Sequence, residues 1–385
     1  MAKPDVEQAK AKNILFLVSS MQGGGAERVA ALLCNRWVEQ GHEVTLMPTF
    51  SGRGDCVYPI DEGVRLDFLA DYVDNKSRSI LNKLQRYLAL RRVIRITQPD
   101  VILSFLPHVN VAAILAAWGM GVPVVVAERT FPPAMSIGRV LEVLRRFTYS
   151  RATTVVVQTQ RALAWLDDCC PRANGRVIPN PVVYPLPVGT PILAPTSLIA
   201  EIRCVVLAVG RLSEEKGFDQ LLSAFETLAT PFPKWDLVIL GEGPERELLE
   251  STLERLGLSD RVYLPGRVGN PGDWYARADL YVMSSSFEGF PNTLVEAMAH
   301  GLPAISFDCK TGPADIIRKE VDGYLIHPDE GATGLANAMG SLMEDENKRR
   351  CMGQEAILVR ERFAGEKVMA AWDEVLGIKQ EYVDA

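Results

Sequence analysis

Short runs of β-branched and aliphatic residues alternate along the chain with stretches in which apolar residues return every three or four positions. The first pattern predicts strands buried on both faces and the second predicts amphipathic helices. In the first half, strands are predicted at 13–19, 43–48, 101–106, 122–127 and 153–158, with helices beginning near Ala26, Ser77, Val109, Ser136 and Gln160. Gly41, Pro99 and the Gly119 to Pro123 turn end the first three helices. In the second half, strands are predicted at 204–209, 237–240, 262–264, 280–283 and 304–307, and helices at 218–228, 245–256 and 293–300. Strand and helix in regular alternation predict parallel α/β sheets.

Between the halves stand Pro179, Pro181, Pro185, Pro187, Pro191 and Pro195, too many rings for a helix or a central strand, so an extended, exposed linker is expected. The predicted organisation is residues 1–182 as a first Rossmann-like domain, 183–202 as linker, 203–364 as a second such domain, and 365–385 as a helix returning to the first. The halves also echo one another. Ala117-Trp118-Gly119-Met120-Gly121-Val122-Pro123 and Met298-Ala299-His300-Gly301-Leu302-Pro303 each run from a helix through Gly and Pro into an apolar strand. Two such domains place ligands at the carboxyl ends of their strands, in a cleft between them. Residues 109–127 carry no charge, but Asn110, Gly119, Gly121 and Pro123 interrupt them, which favours helix, turn and strand over a membrane span.

At 385 residues and 48% hydrophobic, the chain can bury two cores. Its net charge of −7 argues against a protein that lives on nucleic-acid phosphates. Seven scattered cysteines with no Cys-x-x-Cys pair fit neither a disulfide framework nor a zinc site. Lys3, Lys10 and Lys12 near the start precede no apolar leader, so a cytoplasmic location is expected.

Three stretches carry candidate chemistry. Gly23-Gly24-Gly25 opens the first helix, where backbone amides can approach an anion; a plain tight turn is the alternative, and the run is not G-x-G-x-x-G. Gly210-Arg211 and Lys216-Gly217 follow a buried strand, and a guanidinium fork with an ammonium five residues on can reach one diphosphate; otherwise they form a solvated pair beside Glu214 and Glu215. In the stretch from Ser284 to Pro303, Pro291 suits the first turn of a helix, with Glu288 in the loop before it and Glu296 inside. Amides near Asn292 to Val295 can meet an anion and the two carboxylates can accept sugar hydroxyls. The competing reading has Glu288 capping the helix and Glu296 paired with a surface cation.

Taken in order, Gly23-Gly24-Gly25-Ala26-Glu27-Arg28, Gly210-Arg211-Leu212 with Lys216-Gly217, and Glu288-Gly289-Phe290-Pro291-Asn292-Thr293-Leu294-Val295-Glu296-Ala297-Met298-Ala299 with Gly301 and Pro303 resemble the family 4 retaining glycosyltransferases of the GT-B fold. The resemblance spans residues 13 to about 330 and implies two Rossmann-like domains. It implies that Arg211 and Lys216 grip the nucleotide diphosphate of a UDP-sugar and stabilise its departure without a metal ion or other cofactor. Glu296 would hold the ribose hydroxyls and Glu288 the transferred sugar. Amides from Gly289 through Phe290, Pro291, Asn292 and Thr293 to Leu294 would complete the cradle, and Gly266, Arg267 and Val268 would meet the base. His108, after the strand at 101–106, matches a histidine of the family's reaction site, where it acts as a base or only orients substrate. Gly24 and Gly25 would admit the phosphates from the other wall.

Between Lys76 and Thr97 stand Lys76, Arg78, Lys83, Arg86, Arg91, Arg92 and Arg95 and no acid. Such a helix suits anionic lipid or a polyanionic acceptor; alternatively it is a solvated face whose stripe of Ile80, Leu84, Tyr87 and Leu88 docks on the sheet. Arg139, Arg145, Arg146 and Arg151 add a second basic cluster, and Arg129 is a further anion contact or a surface salt bridge. The resemblance points to bacterial enzymes that add hexose or N-acetylhexosamine units to lipid-linked glycans, with nucleotide sugar, lipid-pyrophosphate acceptor and the inner membrane face as partners. A transferase for a soluble sugar, a silent nucleotide-sugar-binding subunit and an oxidoreductase are the rival readings.

Overall fold

The strand-forming runs assemble into two parallel sheets in the computed structural model, which describes residues 11–50, 54, 56–73, 80–134 and 137–378. The chain divides into one unit of residues 1–180 with 366–385 and a second of residues 181–365. Among the described residues, the first unit contains β1 (Asn13–Val18), α1 (Gly25–Glu39), β2 (Glu43–Pro48), β3 (Arg65–Leu66), α2 (Ile80–Thr97), β4 (Val101–Phe105), α3 (Pro107–Ala117), β5 (Val124–Ala127), α4 (Arg139–Tyr149), β6 (Thr154–Val157), α5 (Gln160–Cys169) and β7 (Gly175–Val177). The second contains β8 (Cys204–Val209), α6 (Phe218–Ala229), β9 (Trp235–Leu240), α7 (Arg246–Leu256), β10 (Val262–Gly266), α8 (Pro271–Arg277), β11 (Leu280–Met283), α9 (Asn292–Ala299), β12 (Ala304–Phe307), α10 (Pro313–Ile316), β13 (Gly323–Ile326), α11 (Gly331–Glu344), α12 (Glu346–Ala356) and α13 (Val359–Arg362). A last helix, α14 (Gly365–Leu376), follows.

The strand orders are β3-β2-β1-β4-β5-β6-β7 and β10-β9-β8-β11-β12-β13. Counted within each unit, both begin 3-2-1-4-5-6, the doubly wound order in which the connection reverses between strands 1 and 4. Ligand-binding loops belong at that reversal, after β1 and β4 and after β8 and β11. The echoed helix-Gly-Pro-strand segments are α3 into β5 and α9 into β12, equivalent positions of the two sheets. Residues 109–127 form helix, turn and strand, and no helix among the described residues is long and apolar enough to cross a membrane.

Sequence patterning placed ten strands to within two residues of their ends; β3, β7 and β13 escaped because they are short edge or near-edge strands with little apolar alternation. Helices α8, α11 and α12 were also missed, and the expected starts at Ser77 and Ser136 lie outside the described residues. The Pro-rich segment is mostly exposed, as expected, and hydrogen bonds also tether it to the rest of the second unit. Gly189 N–H donates to the Gly269 carbonyl (2.6 Å), Leu193 N–H donates to Asn270 Oδ1 (3.0 Å), and Trp274 Nε1 donates to the Leu193 carbonyl (3.0 Å). Proline removes donors but leaves carbonyls, and the Pro191 carbonyl accepts from Gly269 N–H (2.6 Å).

Helix α14 buries Val368, Trp372 and Leu376 in the core of the first unit with Phe16, Trp37 and Phe105. Trp37 Nε1 donates to Asp373 Oδ1 (2.9 Å), fixing the helix polarly as well. A buried polar chain crosses the same unit. Ser104 Oγ donates to Asn110 Oδ1 (2.8 Å), Asn110 Nδ2 to the Tyr149 hydroxyl (3.1 Å), and that hydroxyl to Glu128 Oε1 (2.5 Å), while Arg145 Nη1 lies 3.5 Å from the same carboxylate. It ties β4, β5, α3 and α4 together.

Candidate functional site

In the second unit, β8 ends at Val209 and its loop carries Arg211 and Lys216; β11 ends at Met283 and its loop carries Glu288. Because β8 and β11 are neighbours at the reversal, residues 72 positions apart meet: Lys216 Nζ lies 2.6 Å from Glu288 Oε1. Ser285 Oγ donates to the same oxygen (2.7 Å), and Ser284 Oγ donates to the Lys216 carbonyl (2.8 Å). The close approach requires Gly217, which has φ 59° and whose hypothetical Cβ would sit 2.4 Å from the Ser284 carbonyl oxygen. From the far side Thr311 Oγ1 donates to the Glu288 carbonyl, and a Cβ on Gly312 would strike Pro291 Cδ at 2.7 Å.

Beside this pair is a cavity of about 290 Å3 lined by Gly210, Arg211, Glu242, Arg267, Val268 and Glu296, among others. Arg211 and Arg267 are exposed, whereas Glu296 is 8% exposed and accepts from the Tyr275 hydroxyl (3.2 Å). Glu296 is therefore a buried carboxylate, not a surface one. Glu288 does not cap α9 either, for its carboxylate is taken by Lys216 and Ser285 and α9 has no side-chain cap. Pro291 is the residue before the first turn of α9, one place earlier than its ring geometry suggested. Phe290 and Leu294 are buried, Phe290 against Phe363 (5.3 Å), so they face the core and offer a ligand only their main chain. Thr293 Oγ1 accepts from the Tyr281 hydroxyl (2.9 Å), and Asn292 and Gly289 flank this turn.

In the first unit, β4 leads into α3 through Leu106, whose φ of 78° and ψ of 141° lie where side chains other than glycine are strained by about 1–3 kcal/mol. Pro107 then starts α3 and sets His108 facing the loops after β1 and β2. The His108 Nε2 lies 3.2 Å from Ser19 Oγ, and the ring meets Phe50 edge-on at 4.4 Å. Half-burial pushes the His108 imidazole below its usual range, keeping it neutral at neutral pH. Gly24 and Gly25 open α1, with the Glu27 carboxylate against Gly24 and Ser20 Oγ donating to Glu27 Oε1. An acid at this helix start favours a hydroxyl over a phosphate there.

Arg129 is no surface ion pair. It is 7% exposed, lies 4.5 Å over the Phe105 ring and donates to Asn180 Oδ1, while its Nε and Nη1 have no hydrogen-bond partner among the described residues. The second basic cluster is likewise divided: Arg145 is buried and bound by Glu128 and Glu142, Arg146 pairs with Glu142 (3.5 Å), and Arg151 stacks on Trp118 and Phe147. On α2 the buried residues are Ala89, Leu90, Val93 and Ile94, while Leu84 and Leu88 of the expected stripe are 54% exposed each. Lys76 and Arg78 and the side chain of Lys83 lie outside the described residues. Arg86 is half-buried, donates to the Thr49 carbonyl and lies 5.4 Å from the Phe50 centroid.

Patterning missed Ser285, Thr311 and Gly312, which brace Glu288, and Glu242, whose carboxyl Arg246 holds below its ordinary range. The Gly241-Glu242-Gly243 turn after β9 was the available signal for Glu242. Ser19 and Phe50 had none, since each end-of-strand residue becomes informative only once its neighbour across the sheet is known.

Comparison with known proteins finds the family "Glycosyl transferase 4-like domain" over residues 24–181 and "Glycosyl transferases group 1" over residues 193–359. The amylovoran biosynthesis glycosyltransferase AmsD of Erwinia amylovora is 27% identical over 365 residues, 94% of this chain and 99% of its own. A Campylobacter jejuni alpha-1,4-N-acetyl-D-galactosaminyltransferase acting on a diNAcBac-PP-undecaprenol-linked GalNAc disaccharide is 26% identical, with 91% and 96% covered. The exopolysaccharide phosphotransferase SCO2592 of Streptomyces coelicolor is 28% identical over 87% of this chain, which spans 37% of that protein. Among solved structures, Anabaena Alr3699/HepE in complex with UDP superposes with TM-score 0.77 at 21% identity, covering 95% of this chain and 99% of that one.

Proposed function

The chain belongs to the family 4 glycosyltransferases of the GT-B fold, and from that premise we propose that it transfers a hexose or N-acetylhexosamine from a UDP-sugar, with retention, to a lipid-pyrophosphate-linked glycan. The observation that carries this reading is the Lys216–Glu288 pair beside the cavity that Arg211 and Glu296 line. An ammonium has three N–H donors and Glu288 takes one, so a diphosphate can bind Lys216 without displacing the carboxylate. Arg211 supplies a planar fork to the same group. Charge that develops on the departing diphosphate is stabilised by these fixed cations, with no metal required.

Glu288 lies where it can order a hydroxyl of the sugar and favour positive charge at the anomeric carbon, and Glu296 accepts the ribose hydroxyls. The turn at Gly289 to Asn292 adds main-chain donors, and Arg267 and Val268 meet the base. A neutral His108 orients the acceptor or donor hydroxyl; retention on one face lets the departing phosphate oxygen take the acceptor proton. HepE crystallised with UDP supports the donor class, and the undecaprenol-linked substrate of the Campylobacter relative supports the acceptor class. The protein would act on the inner membrane face as a peripheral enzyme in surface-glycan synthesis.

The test is UDP release against a panel of nucleotide sugars and lipid-pyrophosphate acceptors. Lys216→Ala and Glu288→Ala should each lower kcat by about 10²-fold or more with an unchanged circular dichroism spectrum, and EDTA should leave the rate unaltered. Full activity in either variant, or loss of activity in EDTA, rejects the mechanism.

A further inference from the structure

The first unit also contains an apolar hollow apart from the Lys216–Glu288 pair. It measures about 590 Å3, within the range of small-molecule sites, and its walls come from the turn at 69–72, α2, α3 and α4. Leu69, Leu90, Ala112, Leu141 and Leu144 make those walls, while His108 and Arg86 stand in the lining together. Such a surface is costly to wet, so the space suits hydrocarbon.

Among the described residues the charged side chains of the lining are both arginines, Arg86 and Arg139, beside the polar Thr49, Tyr87 and His108. Arg86 is half-buried and, among the described residues, has no carboxylate within salt-bridge distance; Arg139, also in the lining, has none either. Burial weakens the Arg86 cation without an acid to restore it, an imbalance that an anionic ligand would relieve. Among the described residues the lining contains no Asp or Glu.

Helix α4 links the hollow to the surface. Val140 lines it and is 76% exposed; Val143 (66%) and Phe147 (51%) continue the line at helical spacing, with Trp118 beside Phe147 at 6.1 Å. Arg146 and Arg151 flank that stripe. An exposed aliphatic and aromatic ridge with arginines beside it is the composition of an interfacial helix.

We propose that this hollow holds the hydrocarbon chain of a membrane-resident lipid phosphate, drawn in over α4, with the phosphate at Arg86 and the chain against Leu90, Leu141 and Leu144. The proposal rests on the lipid-linked acceptor reading above and adds to it the place of the chain and of the first phosphate. His108 in the same lining brings the acceptor's polar end toward the loops that follow β1 and β4.

Binding is measured directly, without transfer, by titrating the full chain with farnesyl phosphate, dimethylallyl phosphate and farnesol. Farnesyl phosphate should bind at least about tenfold tighter than dimethylallyl phosphate, because each buried methylene adds to affinity. Leu144→Trp, which fills the hollow, should reduce that preference to within about twofold. Arg86→Met should weaken farnesyl phosphate and leave farnesol unchanged. If Leu144→Trp lowers the thermal midpoint, Ala112→Phe replaces it, and a first-unit unfolding transition at the parent's urea midpoint certifies the fold of either. Equal binding of long and short chains, or a preference that survives both filled variants, overturns the proposal. Tight chain-selective binding without any UDP release would instead reject the enzyme reading and leave the lipid site standing.

Discussion

Lys216 and Glu288 show how single residues acquire meaning from their neighbours. Each has a bland reading alone, and a 2.6 Å contact across two adjacent strand ends pairs them. His108 is similar, held by a strained Leu106 and by Ser19, 89 positions away. Its depressed titration has a consequence for stability. An unfolded histidine titrates near ~6.5 and the folded one lower, so between the two values the unfolded chain binds more protons. The contribution is therefore intact above about pH 6.5 and is lost as the solution is acidified through the folded value. His108→Gln should flatten the decline in urea midpoint between about pH 7.5 and about pH 5.5; a slope identical to that of the parent would show that this imidazole titrates normally. His42, lowered by its own burial, keeps its share of the slope in both proteins.

Individual helices carried less information than their charge suggested. Arg145 reads in sequence as part of a basic patch, but α4 turns it inward to Glu128, which lies at the end of β5 and is itself fully buried. Burial pushes the Glu128 carboxyl up, and Arg145 and the Tyr149 hydroxyl oppose that shift. Removing one partner of a buried pair leaves the other charge in low dielectric, so Glu128→Ala should cost about 3–5 kcal/mol in chemical denaturation. A loss under about 1 kcal/mol would mean that Arg145 finds water or Glu142 instead. On α2, the apolar stripe chosen by periodicity faces outward at Leu84 and Leu88, while Leu90, Val93 and Ile94 are buried. Both faces of that helix are partly apolar, so periodicity alone does not choose between them.

At the scale of the whole molecule, two sheets share one strand order and each has its own core, and α14 belongs to the first although it follows the second in the chain. Trp372 is fully buried there, so Trp372→Ala should destabilise the first unit by about 3–5 kcal/mol. Scanning calorimetry should then show one transition moved down and the other in place; two transitions moved equally would mean that the units unfold as one. Alternating apolar runs and helical periods were enough to establish the parallel α/β class and the loops bearing Arg211, Lys216, Glu288 and His108, because those signals are local in the chain. Which strand lies beside which, and so the pairing of Lys216 with Glu288, the inward turn of Arg145 and Arg129, and the hollow under α4, depended on contacts between residues tens to hundreds of positions apart. Such contacts follow from how buried surfaces fit together in space, a property that no stretch of sequence read by itself contains.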